Sequence, residues 1–563
     1  MTDNLFNGAE AMVRMLEAHG VRHIFGLCGD TTLPFYDALY RLDHGIEHIL
    51  TRDERSAAYM ADGYARVTNR VGVCEGPSGG GATYILPGLV EANESSVPIL
   101  AITSDVSVAS RGHYPLTELD QGALMAPLTK WNAVIDKADM LPDMVRTAFR
   151  EMTTGRPGAA HLGFPIDVQR APVDPDQVWA DKRHQSWPAL PVAPAEADVE
   201  AALDVLLAAK FPVVVCGGGI VLAGGESEFL RFVERLDIAV ATTVSGQGSL
   251  AETHANCVGV VGSNGGVPAT KEFLAQADCV FFIGCRAGSV TTERWSVPAK
   301  GTPIVHLDSE PAVIGASYET EAALVGDARL GLAALNQALD ARENVAGYGG
   351  AGAVALAKAK KWAAFAPLAE SAERPIKPER TIAALRAVLD DDAIVVADPG
   401  TPCPYVSAFY ELRAPGRHFI SNRAHGALGY AMSAAMGAHV GRPGAKVVAL
   451  MGDGSFGFTC GELETVVRRK MPITFIVFSN AVFGWIKAGQ RAGFGERYFS
   501  VDFDRTDHAA VASAFGVKSW KVEDPDELQG VLKQAVAHHG PTLVDVISQP
   551  LNEAAAPVSE WIA

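Results

Sequence analysis

At 563 residues the chain is long enough for about three domains, each burying a core of its own. A hydrophobic share of 48% beside 20% charged residues describes an ordinary globular protein. The net charge of −18 argues against nucleic acid and anionic membrane surfaces as partners, while a small anionic ligand needs only local positive charge.

No apolar run approaches the ~18 residues of a membrane span, so none is expected. The opening MTDNLFNGAE has neither a basic stretch nor an apolar core, so no secretory signal is read there. The eight cysteines form no CxxC pair and most lie in apolar runs, as buried free thiols do. Together these predict a cytoplasmic protein.

Residues 1–175 alternate strands and helices. An amphipathic helix is predicted over Asn7–His19, then strands at Val21–Leu27, His48–Leu50, Val71–Cys74 and Pro98–Thr103, with helices at Leu33–Leu42 and Arg55–Arg66. This is a doubly wound parallel pattern. Glu54 falls where a strand hands over to a helix. A carboxylate there favours the helix dipole, or, partly buried, carries a proton. Gly76–Tyr84 (GPSGGGATY) is a Gly-rich strand-to-helix loop that does not fit the GxxxxGK[ST] phosphate cradle. Residues 171–195 are Pro-rich and aperiodic and read as a surface linker.

Residues 196–345 form a second α/β unit, with strands at Val213–Cys216, Ala239–Thr243, Cys279–Ile283 and Ile304–Leu307. Its Gly217-Gly218-Gly219 is not GxGxxG, so the dinucleotide fingerprint is absent. Arg286 is a candidate phosphate contact or a partner for Asp308. Ala346–Ala369 starts Gly/Ala-rich, turns helical, and reads as a second linker.

Residues 370–550 form the third unit. A buried strand at Val447–Met451 runs into Gly452-Asp453-Gly454-Ser455, and a second at Ile473–Phe478 ends at Asn480. A strand–helix–strand unit puts these strand ends side by side, where open α/β sheets bind ligands. Gly452 and Gly454 let backbone N–H groups approach an anion. Asp453 would repel a diphosphate unless Mg²⁺ lay between them, and Asp453 with the amide oxygen of Asn480 supplies two hard oxygen ligands. Residues 551–563, with Trp561 and Ile562, form a tail that either folds over a channel mouth as a lid or frays.

The GDG…Asn480 spacing resembles the thiamin-diphosphate signature of the decarboxylase, carboligase and lyase superfamily, which includes acetohydroxyacid synthase, oxalyl-CoA decarboxylase and 2-hydroxyacyl-CoA lyase. The likeness extends over nearly the whole chain and implies three doubly wound α/β domains: pyrimidine-binding, middle and diphosphate-binding. It implies thiamin diphosphate and Mg²⁺ as cofactors, with Val482 completing the metal shell through its carbonyl. Glu54, in TRDERSAAYMADGYAR, resembles the glutamate that moves a proton at the pyrimidine ring. Leu428, in AHGALG, matches the apolar prop that bends the cofactor. Gly400, Thr401, His425, Gly426, Ser455, Phe483 and Gly484 match other cofactor positions. Gly29, Ser78 and Gly79 match the reaction chamber, Gln121 a catalytic position, and Trp485 and Ile486 the substrate channel. Glu496, a charge in the Gly-rich GFGERYFS, either reaches the substrate or is simply solvated. In relatives the middle domain holds FAD, ADP or the nucleotide end of CoA, or nothing. The family's sites lie between subunits, so a homodimer or homotetramer is implied.

For substrate, Gly112–Gln121 (GHYPLTELDQ) has Leu116-Thr117-Glu118 where acetohydroxyacid synthases commonly show Phe-Gln before the acid, and its Asp120-Gln121 is closer to oxalyl-CoA decarboxylase. With the possible lid of the tail, this makes the first expectation a 2-hydroxyacyl-CoA lyase acting on an acyl-CoA. The second is an acetolactate-synthase-like carboligase of 2-oxo acids. The third is a non-catalytic nucleotide-binding protein, against which Glu54 speaks.

Overall fold

Three six-stranded, all-parallel sheets organise the chain in a computed structural model that describes residues 5–554 and 556–559. Their central strands are apolar runs buried on both faces, as parallel strands covered by helices must be. The first sheet has the order Glu47–Leu50, His23–Gly26, Gly72–Gly76, Ile99–Asp105, Ala160–Pro165, Trp131–Val134. The third has the same pattern: Phe419–Ser421, Ile394–Ala397, Val447–Gly452, Thr474–Ser479, Thr542–Ile547, Lys518–Val522. In each, the connections reverse direction between the second and third strands, which creates a crevice at the strands' carboxyl ends. Gly29, Ser78 and Gly79 follow the two strands at that point in the first sheet, and Gly400, Thr401 and Asp453 do so in the third.

The middle sheet runs Cys257–Val260, Ala239–Thr242, Pro212–Cys216, Cys279–Ile283, Ile304–Asp308, Ala322–Val325, the dinucleotide-binding order. Its glycine triplet packs against backbone. Gly217 N–H donates to Ile283 O at 2.9 Å and Gly219 N–H to Gly284 O at 3.1 Å. A Cβ on Gly217 would lie 2.2 Å from Gly284 O.

Two compact units are distinguished. One comprises residues up to Leu190 with Asn422–Gly444 and Thr459–Met471, and the other the rest. In the first unit the helix Glu54–Thr68 packs along the helix Tyr430–Gly441. Glycine makes this possible: a Cβ on Gly63 would lie 2.2 Å from Ala434 O, and one on Gly437 would lie 1.9 Å from Met60 O.

Several expectations need correcting. Residues 171–195 are more than a surface linker. Pro172–Val173 pairs antiparallel with Phe6–Asn7, and Trp187 is buried with its indole N–H donating to Arg70 O at 3.2 Å. The second linker turns helical, as expected, over Gly350–Ala369. The tail does not fray through Ser559. Leu551 is buried against Gly484, Gly265 N–H donates to Pro557 O at 2.9 Å, and Ser559 N–H donates to Ser263 O at 3.0 Å. Trp561 and Ile562 lie outside the described residues. Among the described residues no helix is long and apolar enough to cross a membrane, and the eight cysteines are free thiols.

The helix crossing makes a sharp prediction. Gly437→Ala should destabilise the protein by about 3 kcal/mol, since a backbone carbonyl must move. Gly530→Ala, in the exposed face of Pro525–Ala537 with open space around its Cβ, should stabilise it by roughly 0.5–1 kcal/mol. Paired urea titrations measure both.

Candidate functional site

The predicted site residues fall into two sets, one in each unit. In the first unit, Glu54 heads its helix, with Asp53 as N-cap accepting from Arg55 N–H at 2.8 Å. Glu54 is 5% exposed, and its methylenes lie against Gly76, where a Cβ would come within 3.1 Å. Burial is the main cause that raises its carboxyl above the usual range. Its own backbone N–H opposes this, and the negative charges of Asp53 and Glu75 add to it. The turn before it is fixed by the buried Glu462, which accepts from Arg52 N–H at 2.8 Å and from Thr465 Oγ1 at 2.7 Å.

The chamber residues cluster nearby at the strand ends. Thr31 Oγ1 lies 2.6 Å from Ser104 Oγ and 3.1 Å from Ser78 Oγ, and Ser78 Oγ lies 2.7 Å from Thr117 Oγ1. Gly29 abuts Pro77, where a Cβ would lie 2.4 Å from the ring. Gly79, at φ +66°, faces Thr117. Gln121 is 1% exposed and turned inward: its Oε1 accepts from Thr103 Oγ1 and its Nε2 donates to Ser104 O at 2.8 Å. Asp120 caps the helix Gln121–Met125, accepting from Ala123 N–H at 2.9 Å. The acidic and amide residues of this loop thus have local structural work.

The loop Asn422–Gly429 leads into the helix at Tyr430. His425 and Gly426 are exposed and Leu428 is half-buried, with Gly426 and Gly429 at φ +73° and +87°. Glu91 accepts from Ala424 N–H at 3.2 Å and His425 N–H at 2.8 Å. Sequence reasoning missed both Glu91 and Glu462. The available signal was a carboxylate on the buried face of a helix, as with Glu91 between the buried Leu89 and Ala92.

In the second unit the two distant metal candidates meet. Gly452 pairs with Phe478 in adjacent parallel strands, so Asp453 and Asn480 emerge at the same sheet end. Asp453 Oδ2 accepts from the N–H groups of Asn480 at 2.7 Å and Ala481 at 2.6 Å, and Oδ1 from Gly454 N–H at 2.8 Å. Burial raises its carboxyl above the usual range and those three N–H groups pull it back. Asn480 Oδ1 takes one long bond, 3.3 Å from Val482 N–H, and the buried Asn480 Nδ2 has no partner among the described residues. A bound Mg²⁺ for the oxygens and a phosphate oxygen for the orphaned amide donor fit this donor set.

Around it, Ser455 donates to Asp398, the buried Thr401 and the half-buried Gly400 follow, and a Cβ on Gly454 would strike the Phe483 ring at 2.6 Å. A buried Ser479–His508–Asp545 chain, with both side-chain contacts at 3.3 Å, backs the strand end. The segment after Asn480 folds back on itself: Val482 bridges Asp502, Phe483 N–H donates to Val501 O at 2.9 Å, and Gly484–Phe494 is helical. On that helix Trp485 is half-buried and Ile486 is 54% exposed. Glu496 is an exposed partner of Arg491 at 3.3 Å. Arg286 lies exposed just past the strand Cys279–Ile283 in the middle sheet.

The sequence matches three domain descriptions of one family. Residues 6–124 match the thiamine pyrophosphate enzyme N-terminal TPP binding domain, 199–335 the central domain and 398–546 the C-terminal TPP binding domain. A probable acetolactate synthase large subunit of Methanococcus aeolicus is 34% identical over 562 residues, covering 97% of this chain and 92% of the relative. The acetolactate synthase isozyme 2 large subunit of Escherichia coli (strain K12) is 30% identical over 551 residues, covering 96% and 95%. The acetolactate synthase large subunit of Lactococcus lactis subsp. lactis (strain IL1403) is 30% identical over 546 residues, covering 96% and 92%.

The support of the Glu54 turn carries a pH signature. Burial pushes the Glu462 carboxyl from an ordinary 4.5 up to about 7. Between those values the folded chain holds a proton that the unfolded chain has released, so stability falls as pH rises, by on the order of 3 kcal/mol across the span. In Glu462→Gln this contribution should vanish, leaving a flatter pH dependence of the urea midpoint than in the unaltered protein.

Proposed function

The chain belongs to the thiamine pyrophosphate enzyme family, and from that premise we propose that it is an acetolactate-synthase-type carboligase acting on 2-oxo acids. The observation that carries the reading is similarity to acetolactate synthase large subunits along nearly the whole of both chains. It outweighs the Gly112–Gln121 loop and the possible lid, on which the lyase expectation rested; the loop's polar residues have local structural partners. A non-catalytic role is set aside with it, because the family is one of enzymes and this chain keeps Glu54.

Bound thiamin diphosphate supplies a nucleophilic carbon that adds to a carbonyl and stores the electron pair when the neighbouring bond breaks. The chain's own part is holding and proton transfer. Asp453 and Asn480, with the Val482 carbonyl, would hold Mg²⁺. The backbone around Gly452 and Gly454, with Gly400, Thr401 and Ser455, would hold the diphosphate. Glu54, whose burial raises its carboxyl above the usual range, is suited to share a proton with a pyrimidine nitrogen. Leu428 would press the cofactor into its bent form, beside His425 and Gly426. Ser78, flanked by Gly29 and Gly79, would face the substrate, with Phe483, Trp485 and Ile486 as apolar walls. A second copy of the chain completes each site in this reading, and FAD is the first group to look for in the middle domain, given its strand order.

Purified protein with thiamin diphosphate, Mg²⁺ and pyruvate should yield acetolactate. Cleavage of a 2-hydroxyacyl-CoA to an aldehyde or ketone plus formyl-CoA, with no acetolactate, would overturn the reading. Glu54→Gln should lower kcat roughly 100-fold or more while the variant still binds the cofactor, as calorimetric titration would register. A chelator should abolish that binding.

A further inference from the structure

One buried charge cluster has no part in the reaction as proposed, yet touches the loop that carries Leu428. Arg66 lies at its centre, buried in the helix Glu54–Thr68. Its Nε donates to Asp62 Oδ2 at 2.8 Å and its Nη2 to Glu91 Oε1 at 3.2 Å. Asp62 and Glu91 are both fully buried. Each carboxylate then reaches towards the same loop from a different side. The hydroxyl of Tyr430, the first residue after the loop, donates to Asp62 Oδ2. Glu91 Oε2 takes the N–H groups of Ala424 and His425, at the loop's other end.

The two oxygens of Glu91 divide the work. Oε1 serves Arg66 and Ser95, whose Oγ is 2.6 Å away, and Oε2 serves only the loop. A carboxylate can do both at once. A carboxamide cannot, since it has one acceptor and one donor face. Taking one cation and two carboxylates out of water is costly, and breaking one of their pairings leaves a buried charge uncompensated.

We propose that Glu91 is the positioning residue of the Asn422–Gly429 loop, clamping it through two backbone N–H groups so that His425, Gly426 and Leu428 are held ready for the cofactor before it arrives. Arg66 orients the clamp and Tyr430 fixes the loop's exit. The cofactor part of this inference rests on the thiamin diphosphate reading; the clamp itself does not. Preorganisation of this kind lowers the ordering cost of binding.

The test uses the full-length protein and Glu91→Gln, with Glu91→Asp as a second variant that keeps the charge but shortens the reach. Amide hydrogen exchange in the cofactor-free protein should show faster exchange across residues 422–429 in Glu91→Gln, with the strand Ile99–Asp105 unchanged. The Kd for thiamin diphosphate at saturating Mg²⁺, read by tryptophan fluorescence, should rise about tenfold or more. At saturating cofactor the substrate KM should stay near that of the unaltered enzyme, which a general loss of folding would not produce. Unchanged exchange in 422–429, or a Kd within twofold in both variants, overturns the proposal. If the unaltered protein binds no thiamin diphosphate, the cofactor reading fails, while the exchange arm still decides whether Glu91 clamps the loop.

Discussion

The first unit depends on two helices meeting with almost nothing between them. Where Glu54–Thr68 crosses Tyr430–Gly441, Gly63 faces the Ala434 carbonyl and Gly437 faces the Met60 carbonyl, at distances no side chain could occupy. Close approach of this kind gives many small dispersion contacts and leaves little slack for sliding. It matters because of what sits at the ends. Glu54 begins one helix, and the loop bearing Leu428 runs directly into the other. A rigid crossing therefore fixes Glu54 and the Asn422–Gly429 loop in one frame.

Buried charge is the second theme, and each instance is compensated differently. Asp453 is offset by three backbone N–H groups converging on its two oxygens. Arg66 is offset by two carboxylates. Glu462 is offset least, by one backbone N–H and hydroxyl contacts, and its carboxyl consequently rises towards neutrality. Between the two carboxylates the difference lies in burial and in the kind of donor, three backbone N–H groups for Asp453 against one and hydroxyls for Glu462.

Apart from the edge strand at Glu47–Leu50, the strands read in advance were inner ones. Ile99–Asp105, Cys279–Ile283 and Thr474–Ser479 are buried on both faces, so a largely apolar run marks them. Trp131–Val134, Ala322–Val325 and Lys518–Val522 lie at sheet edges with one face open, and their mixed sequences hide them. Asp453 and Asn480 were legible for a topological reason, since parallel neighbours joined by a helix must end together. Glu91 and Glu462 were not, because their partners, Ala424 and His425 for one and Arg52 for the other, are brought in by the tertiary fold. The Gly112–Gln121 loop misled for the opposite reason. Its polar residues looked available for a ligand, and the fold uses them in a helix cap and a buried amide network.

The helix crossing has one more consequence, for how the chain varies through evolution. When two side chains collide, a second substitution that shrinks the partner restores the fit, and such pairs drift together. At Gly63 and Gly437 the obstacle is a main-chain oxygen, which every amino acid carries. No replacement at position 434 or 60 can make room. These glycines should therefore stay fixed across descendants without leaving any trace of correlated change, invisible to methods that infer contacts from paired drift.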